Sequence, residues 1–149
     1  MASRRKGRIL AFQALFSWEA NNVPVTELID FSWLEADKRQ SLEDGTADFS
    51  RYLFLGTVEN IAVIDKKIQD HVQNWDFSRL NRVDLAILRL STYTLIFQPD
   101  VPPSIVIDEA IGIAREFGSE DSFRFINGVL DSIRKTLKDE SAQPQAINE

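Results

Sequence analysis

Residues 81–103 read NRVDLAILRLSTYTLIFQPDVPP, and this stretch decides the fold class. Residues 81–97 predict one helix, because they show no alternation of apolar and polar side chains that would be typical of a strand. The segment from Gln98 to Pro103 ends this helix, because proline lacks an amide donor and its ring clashes with helical backbone. Pro103 itself suits the first position of a new helix, where its missing N–H would have no partner. A helix, a break and a second helix predict an all-α fold.

Toward the C-terminus, the sequence predicts two helices that are joined by a tight turn. The first covers 103–117, and Gly118 stands where helices commonly adopt a left-handed cap. Ser119 can cap the last helix, which is expected to run to about Lys138. The polar residues 140–149 are expected to form a disordered tail.

Toward the N-terminus, three further helices are predicted from apolar residues at spacings of three and four. They cover residues 3–20, 25–36 and 48–74, and a polar connection over 37–45 separates the last two. No internal repeat and no interdomain linker interrupts the pattern. Residues 1–139 are therefore expected to form one all-α domain.

Gly56, Gly112 and Gly128 lie inside predicted helices. A glycine costs about 1 kcal/mol relative to alanine in an exposed helix interior. Close approach of a neighbouring helix is the usual reason for accepting that cost. We therefore interpret all three glycines as packing positions and not as site residues.

The composition places the chain among soluble globular proteins. Its 149 residues are 44% hydrophobic and 27% charged, which suits a packed domain and not a disordered chain. No apolar run approaches the roughly 18 residues of a membrane span, and the basic start leads into an amphipathic segment unlike a signal peptide. The absence of cysteine excludes disulfides and thiolate metal sites. A cytoplasmic protein without membrane contact is expected.

The charge is distributed unevenly along the chain. The net charge is −6, yet residues 1–8 contain four basic residues and no acid. The rest of the chain contains the other 13 of the 17 basic residues and all 23 acidic residues. Basic residues at a helix start oppose the helix dipole, and they indicate an anionic partner. Two alternatives stay open here, a frayed first turn and a basic tail that only aids solubility. The four residues are Arg4, Arg5, Lys6 and Arg8.

Residues suited to catalysis or to metal binding are scarce. His71 is the only histidine, near the end of a predicted helix, where a partly exposed structural role is expected. Metal sites need several His, Cys or carboxylate ligands together, and no such spacing occurs. Gly112 and Gly118 are isolated and follow no strand, unlike the glycines of phosphate-binding loops. The sequence therefore predicts a protein that is not an enzyme and that uses no metal and no cofactor.

The segment 117–125 is the other candidate surface. It combines a tight turn, a helix N-terminus, an arginine and three phenylalanines. A helix N-terminus can bind phosphate, and aromatic rings can stack on unpaired bases. The alternative is that the three rings are core residues. For Phe125 the core interpretation is favoured, whereas for Phe117 and Arg124 both interpretations stay open.

Several segments resemble the NusB family of transcription antitermination factors. The similarity spans about residues 4–135, and the block FGSEDSFRFINGVLD at 117–131 is its most specific part. The segment 22–47 is the variable part, and the resemblance leaves it undetermined. The segments that carry the resemblance are 4–18, 81–90, 100–102, 109–111 and 117–131.

The resemblance implies two packed helical bundles of about six to seven helices, with no catalytic activity. Proteins of this family bind the single-stranded boxA RNA of nascent transcripts together with NusE, a small-subunit ribosomal protein. The complex helps RNA polymerase to resist termination, notably in ribosomal RNA operons. By position, the family's RNA-contacting residues correspond here to Arg4, Arg5, Lys6, Arg8, Gln13, Phe117, Asp121 and Arg124, and its NusE-contacting residues to Phe16 and Asp84.

The leading hypothesis is an RNA clamp with two patches. The basic helix start would neutralise phosphates, while the turn at 117–124 would contact bases and backbone. The alternative is a protein-interaction adaptor whose acidic body docks basic ribosomal or polymerase partners without reading RNA. NusB-like domains also occur fused ahead of RNA methyltransferase domains, but no nucleotide-binding βαβ pattern is present here. The free protein is expected to be a monomer or a homodimer.

Overall fold

The computed structural model describes residues 3–142, and over that range it confirms the all-α fold class. The described residues form eight α-helices and a short 3₁₀ turn at Phe77–Arg79, with no strand among them. None of these helices is both long and apolar enough to cross a membrane. The helices are α1 Arg4–Ala20, α2 Val25–Leu28, α3 Ala36–Ser41, α4 Asp44–Glu59, α5 Ile61–Asp70, α6 Arg82–Phe97, α7 Pro103–Phe117 and α8 Ser122–Ala142.

Helix α6 organises the packing of the other helices. Its residues 84–94 are all buried, so this part of the helix is covered by protein on every side. It contacts α1, α4, α5, α7 and α8, while α1 packs most extensively on α4 and α7 on α8. The helices thus form two packed groups that share α6. As the proline-rich segment predicts, α6 ends at Phe97 and α7 begins at Pro103.

Polar contacts fix the start and the middle of α6. The side-chain oxygen of Asn81 accepts hydrogen bonds from the amides of Val83 (2.8 Å) and Asp84 (3.2 Å), which caps the first turn. Farther along, the guanidinium group of Arg89 donates two hydrogen bonds of 2.9 Å to the Asp65 carboxylate of α5. Paired donors and acceptors of this kind compensate the burial of an arginine. The pair connects α5 to α6.

The helix predicted over 48–74 is two helices in the structure, Asp44–Glu59 and Ile61–Asp70. The break lies at Asn60, whose φ of −111° and ψ of 20° depart from helical values. Its side-chain amide donates a 2.8 Å hydrogen bond to the carbonyl of Gly56. Asparagine offers such local bonds as an alternative to the helical ladder. Apolar spacing continues across this break, so periodicity alone does not reveal it.

The predictions for residues 25–45 were wrong in detail. The helix expected over 25–36 is limited to the four residues of α2, and the expected polar connection contains α3. Phe31 interrupts the first helix because its φ of 58° lies in the left-handed region. With this conformation both Leu28 and Phe31 are buried. Helix α3 buries no residue, so hydrophobic periodicity could not have indicated it.

The turn between α7 and α8 also differs from the prediction. Gly118 has extended backbone angles (φ −95°, ψ −175°) instead of left-handed ones. A side chain is unfavourable there for another reason, since a Cβ atom would lie 2.7 Å from the Ala114 carbonyl oxygen and from Ser122 Oγ. Helix α8 begins at Ser122, whose Oγ accepts a 3.0 Å hydrogen bond from the amide of Ser119. The expected cap at Ser119 was therefore wrong.

Helix α8 extends past its predicted end. It continues to Ala142, beyond the expected boundary at Lys138. Residues 143–149 lie outside the described residues. The domain boundary at 139 and the disordered tail therefore stay predictions.

Of the three glycines that we interpret as packing positions, one has that role in the structure. A Cβ atom on Gly56 would lie 2.4 Å from the Tyr93 hydroxyl oxygen, so glycine is required for this close approach. A Cβ atom on Gly112 or Gly128 would meet nothing within 4 Å. The packing interpretation is thus confirmed for the first glycine and wrong for the other two.

Candidate nucleic-acid interface

The start of α1 presents the four basic residues that were predicted to hold RNA, and it is fixed at two points. The Ser3 hydroxyl oxygen accepts a 3.1 Å hydrogen bond from the amide of Lys6. The Ser3 amide donates a 2.9 Å hydrogen bond to Thr46 Oγ1 of α4. A capped and docked first turn speaks against fraying as the explanation for the basic residues. We define the basic turn as Arg4, Arg5, Lys6 and Arg8.

Gly7 brings the basic turn close to α4. A Cβ atom at this position would lie 2.7 Å from Cδ2 of Phe49, so a side chain would displace that ring. The Phe49 ring in turn lies beneath two guanidinium groups, with Cζ of Arg4 at 4.3 Å and Cζ of Arg8 at 5.6 Å from the ring centroid. Cation–π contacts of this kind hold both side chains without neutralising their charge.

Glu109 of α7 partly neutralises the basic turn. Its carboxylate oxygens lie 3.4 Å from Arg5 Nε and 3.7 Å from Arg8 Nη1. Burial lowers the pKa of Arg8, and the charge of Glu109 acts in the opposite direction. The guanidinium group stays protonated at neutral pH, because the ordinary arginine pKa is so high. Within residues 3–142, Arg4 and Lys6 form no ion pair, so their charges are the least compensated.

A second feature, the aromatic groove, lies farther along α1. It is an open cleft of about 300 Å³ where α1 meets the end of α7 and the start of α6. The Phe117 ring lies 5.2 Å from the Phe12 ring between centroids, tilted by 47°. Gln13 and Phe16 also line the groove, so two predicted RNA positions and one predicted NusE position come together. The lining residues are Phe12, Gln13, Phe16, Ser17, Trp33, Val83 and Phe117.

One helix carries both features and therefore sets their separation. Arg5 and Gln13 are eight positions apart in α1, and a rise of about 1.5 Å per residue separates them by about 12 Å. Beside this stretch of α1, a crevice contains three acids of α7, Asp108, Glu109 and Glu116. Negative charge there disfavours phosphate between the two features. On this side of α1, the basic turn is therefore the surface that favours an anion.

The turn after Phe117 exposes charged side chains near the aromatic groove. Asp121 and Arg124 are both exposed. Arg115 of α7 and Arg124 contact the same ring, since their guanidinium carbons lie 5.0 Å and 5.5 Å from the Phe123 centroid. Sequence reasoning missed Arg115, because only the fold of the turn brings it to the ring that Arg124 also contacts. The Phe123 ring thus carries two cations.

Two tryptophans, Trp33 and Trp75, lie near phenylalanines of the candidate segment 117–125. Trp33 lines the aromatic groove, and its indole N–H donates a 2.9 Å hydrogen bond to the Leu28 carbonyl. It lies in the variable segment 22–47, which the resemblance leaves undetermined, so the resemblance did not mark it. Phe125 is half-buried against the core, as favoured, and Trp75 packs edge-on against it at 5.3 Å between ring centroids.

Asp84 lies in the interior and not on an open surface. The residue is 8% exposed in the first turn of α6. Burial raises the pKa of Asp84, and a hydrogen bond from the Ser122 hydroxyl partly opposes this shift. Its Oδ1 atom has no hydrogen-bond partner among the described residues. The carboxylate thus connects the starts of α6 and α8, and its contact with NusE stays a prediction.

His71 has the structural environment expected from the sequence. His71 directly follows the last residue of α5, and its Nδ1 atom lies 2.7 Å from Ser132 Oγ. Burial lowers the pKa of His71. In the part of the chain that the structure describes, no group of three or more His, Cys, Asp or Glu residues could hold a metal ion.

Comparison with known proteins points to one family. The model of the NusB family matches residues 5–135. The chain is 54% identical over 133 residues to the transcription antitermination protein NusB of Treponema pallidum (strain Nichols). That alignment covers 89% of this chain and 93% of the relative.

Solved structures show the same fold. NusB of T. maritima has a TM-score of 0.80 at 34% identity, over 94% of this chain and 99% of the other. A chain in the crystal structure of antitermination factors NusB and NusE in complex with dsRNA has a TM-score of 0.78 at 26% identity, over 89% and 96%. The resemblance noted in the sequence is therefore confirmed along most of the chain. This chain belongs to the NusB family.

Proposed function

We propose that this protein is a transcription antitermination factor that binds boxA-type single-stranded RNA together with NusE. Bound in this way, it keeps RNA polymerase transcribing, notably through ribosomal RNA operons. The observation that carries the proposal is the layout of α1, with the basic turn at one end and the aromatic groove about 12 Å farther on. The protein acts in the cytoplasm as a binding partner and not as an enzyme.

The relatives support this function. The Treponema pallidum relative is named a transcription antitermination protein. The solved structure that contains NusB, NusE and dsRNA includes a chain with this fold. We extend the RNA and NusE partnership to this chain. We propose a single-stranded RNA, because the aromatic groove offers rings on which unpaired bases can stack.

The basic turn supplies attraction in this proposal. Cations that neutralise phosphates release counterions, which strengthens binding without regard to base sequence. Arg4 and Lys6 bind phosphate most readily, because within residues 3–142 they form no ion pair that would have to be broken. Arg5 and Arg8 exchange the Glu109 carboxylate for a phosphate.

The aromatic groove supplies discrimination between bases. An unpaired base can stack on Phe117 and form hydrogen bonds with the Gln13 amide, whereas a base inside a duplex is already stacked and paired. Arg124, which shares the Phe123 ring with Arg115, places positive charge next to that base. Asp121 is exposed on the same turn and weakens the complex by repulsion.

NusE meets the protein on the same groove in this proposal. Phe16 is half-buried and shares the lining with Phe117, so the protein partner and the RNA would bind side by side. Asp84 follows Val83, which also lines the groove. Because Asp84 is buried, it influences NusE through the position of the start of α6.

Titration of labelled boxA RNA, with and without NusE, tests this function. The wild-type protein should prefer boxA over a scrambled RNA of equal length, and NusE should strengthen binding. Arg4→Glu/Arg5→Glu should weaken binding about 100-fold at low salt. The matched control Lys66→Glu/Lys135→Glu changes the net charge equally at exposed positions outside α1. Equal weakening by both pairs would show that only net charge matters and would contradict the site.

The second candidate is an adaptor that docks basic proteins without reading RNA. The acidic crevice beside α1, with Asp108, Glu109 and Glu116, favours it, because such a surface attracts basic partners. The adaptor predicts capture of NusE without any preference for boxA over scrambled RNA, even when NusE is present. The same titration therefore decides between the two functions.

A further inference from the structure

A further cleft opens beside the basic turn, and apart from Arg4 and Arg8 its lining residues have no role in the proposed function. It encloses about 330 Å³ where the start of α1 meets α4, the C-terminal end of α6 and the loop after α6. We name it the outer groove. Its lining residues are Arg4, Arg8, Tyr52, Phe97, Gln98, Asp100 and Val101.

Two aromatic side chains of the outer groove are unusually exposed. Tyr52 is 57% exposed and Phe97 is 40% exposed. Both rest on the buried ring of Tyr93, which stacks on Phe97 at 5.3 Å and meets Tyr52 edge-on at 6.4 Å between centroids. Gly56 permits the position of Tyr93, because a Cβ atom there would lie 2.4 Å from its hydroxyl oxygen. The two rings are thus held by the core and yet face solvent, as a preorganised binding surface requires.

The charges of the outer groove select among possible ligands. Arg4 and Arg8 line it and are held over the Phe49 ring, while Asp100 is the one acid in its lining. The formal charge of the lining is therefore positive on a protein whose net charge is −6. A basic protein would be repelled here. Exposed aromatic rings beside guanidinium groups are the combination that binds single-stranded nucleic acid.

We propose that the outer groove binds unpaired nucleotides that flank the RNA segment held by the basic turn and the aromatic groove. A base stacks on Phe97, with Tyr52 lining the same groove, and the adjoining phosphate contacts Arg4. This inference rests on the proposed RNA-binding function and adds a third contact region to it. Bases in a duplex offer no free face, so the ligand is single-stranded. An acidic peptide is the competing occupant, and the experiment distinguishes it.

The experiment compares three RNAs by fluorescence anisotropy. One is a short boxA RNA, and the others carry a run of unpaired uridines added at its 5′ or its 3′ end. The wild-type protein should bind one extended RNA about five- to tenfold more tightly than the short one. Phe97→Ala should lose this gain and Phe97→Tyr should keep it. The control Val63→Ala removes another exposed apolar side chain and should also keep it. All variants should bind the short RNA equally.

Crosslinking supplies an independent readout. Ultraviolet irradiation of the extended complex should attach RNA to peptides that contain Tyr52 or Phe97, and the short complex should not. The proposal is overturned if neither extension tightens wild-type binding, if Phe97→Ala keeps the gain, or if it weakens short and extended RNAs equally. It is also overturned if Phe97→Ala impairs binding of a poly-glutamate peptide and leaves the extended RNA unaffected. Failure of the proposed function is distinct, since it appears as no preference for boxA within the short RNA.

Discussion

The basic turn and the aromatic groove lie on one helix, yet their side chains are held in different ways. Three of the four charges of the basic turn are exposed, at Arg4, Arg5 and Lys6, and Arg4 is positioned from outside by the Phe49 ring, 4.3 Å away. The rings of the aromatic groove continue the core, as where Phe117 packs on buried Phe12. Charge acts over a Debye length of about 8–10 Å, whereas a ring acts only at contact. Attraction and discrimination should therefore respond to different mutations.

Gly118→Ala should have the largest effect, and it acts on the turn that follows Phe117 of the aromatic groove. The added Cβ would lie 2.7 Å from the Ala114 carbonyl oxygen, so the turn after Phe117 must shift. We expect the free energy of unfolding to fall by about 2 kcal/mol, measured by urea denaturation. Gly128→Ala is the control, because its Cβ meets nothing, and it should stabilise by up to about 1 kcal/mol. Equal stability of the two variants would contradict the packing of this turn.

Phe117→Ala sharpens the comparison without a change of charge. Loss of a stacking surface is expected to weaken boxA binding about tenfold and to reduce the preference over scrambled RNA. Titration of both RNAs measures this. Trp75→Ala is the control, because it removes an exposed ring outside the groove and should leave both affinities unchanged. A uniform loss on both RNAs would assign Phe117 to general affinity instead of discrimination.

Glu109→Gln acts on the basic turn and is expected to strengthen RNA binding. The substitution removes the charge that pairs with Arg5 and Arg8, so phosphate no longer competes with a carboxylate. RNA affinity should rise about threefold at low salt, with boxA and scrambled RNA gaining equally. Glu59→Gln, an exposed position on α4, is the matched control. A gain limited to boxA would contradict the separation of roles.

Asp84→Asn should have the smallest effect, which is a change in how the free energy of unfolding depends on pH. Burial raises the pKa of Asp84, so the folded protein holds this proton more tightly than the unfolded chain does. The wild type should therefore lose stability relative to the variant as the pH rises from about 4 through the folded pKa. Urea denaturation across this range measures the difference. A difference that is constant with pH would mean that the carboxylate does not titrate in this window.

Features that depend on local chemistry could be predicted from the sequence. The break from Gln98 to Pro103 follows from proline itself, and the basic turn follows from its charges. The split at Asn60 could not be predicted, because apolar spacing runs across it and a side-chain hydrogen bond to Gly56 decides it. The left-handed Phe31 was equally hidden, since core packing overrides local preference there.

Features of the site that depend on contacts across the chain were missed. Arg115 joins Arg124 only through the Phe123 ring, and Trp33 reaches the aromatic groove from the variable segment 22–47. The interior position of Asp84 likewise depends on the packing of α8 on α6. Composition and motifs indicate which residue types can bind RNA. They do not indicate which of those residues the fold brings together.

The salt dependence of RNA binding tests the central claim most directly. Four phosphate contacts on single-stranded RNA predict a slope of log K against log salt of about −3 for the wild type. Arg4→Glu/Arg5→Glu should reduce the slope to about −1.4, because two contacts are lost. Phe117→Ala should weaken binding and leave the slope at about −3. A reduced slope in Phe117→Ala, or an unchanged slope in the arginine variant, would contradict the separation of attraction from discrimination.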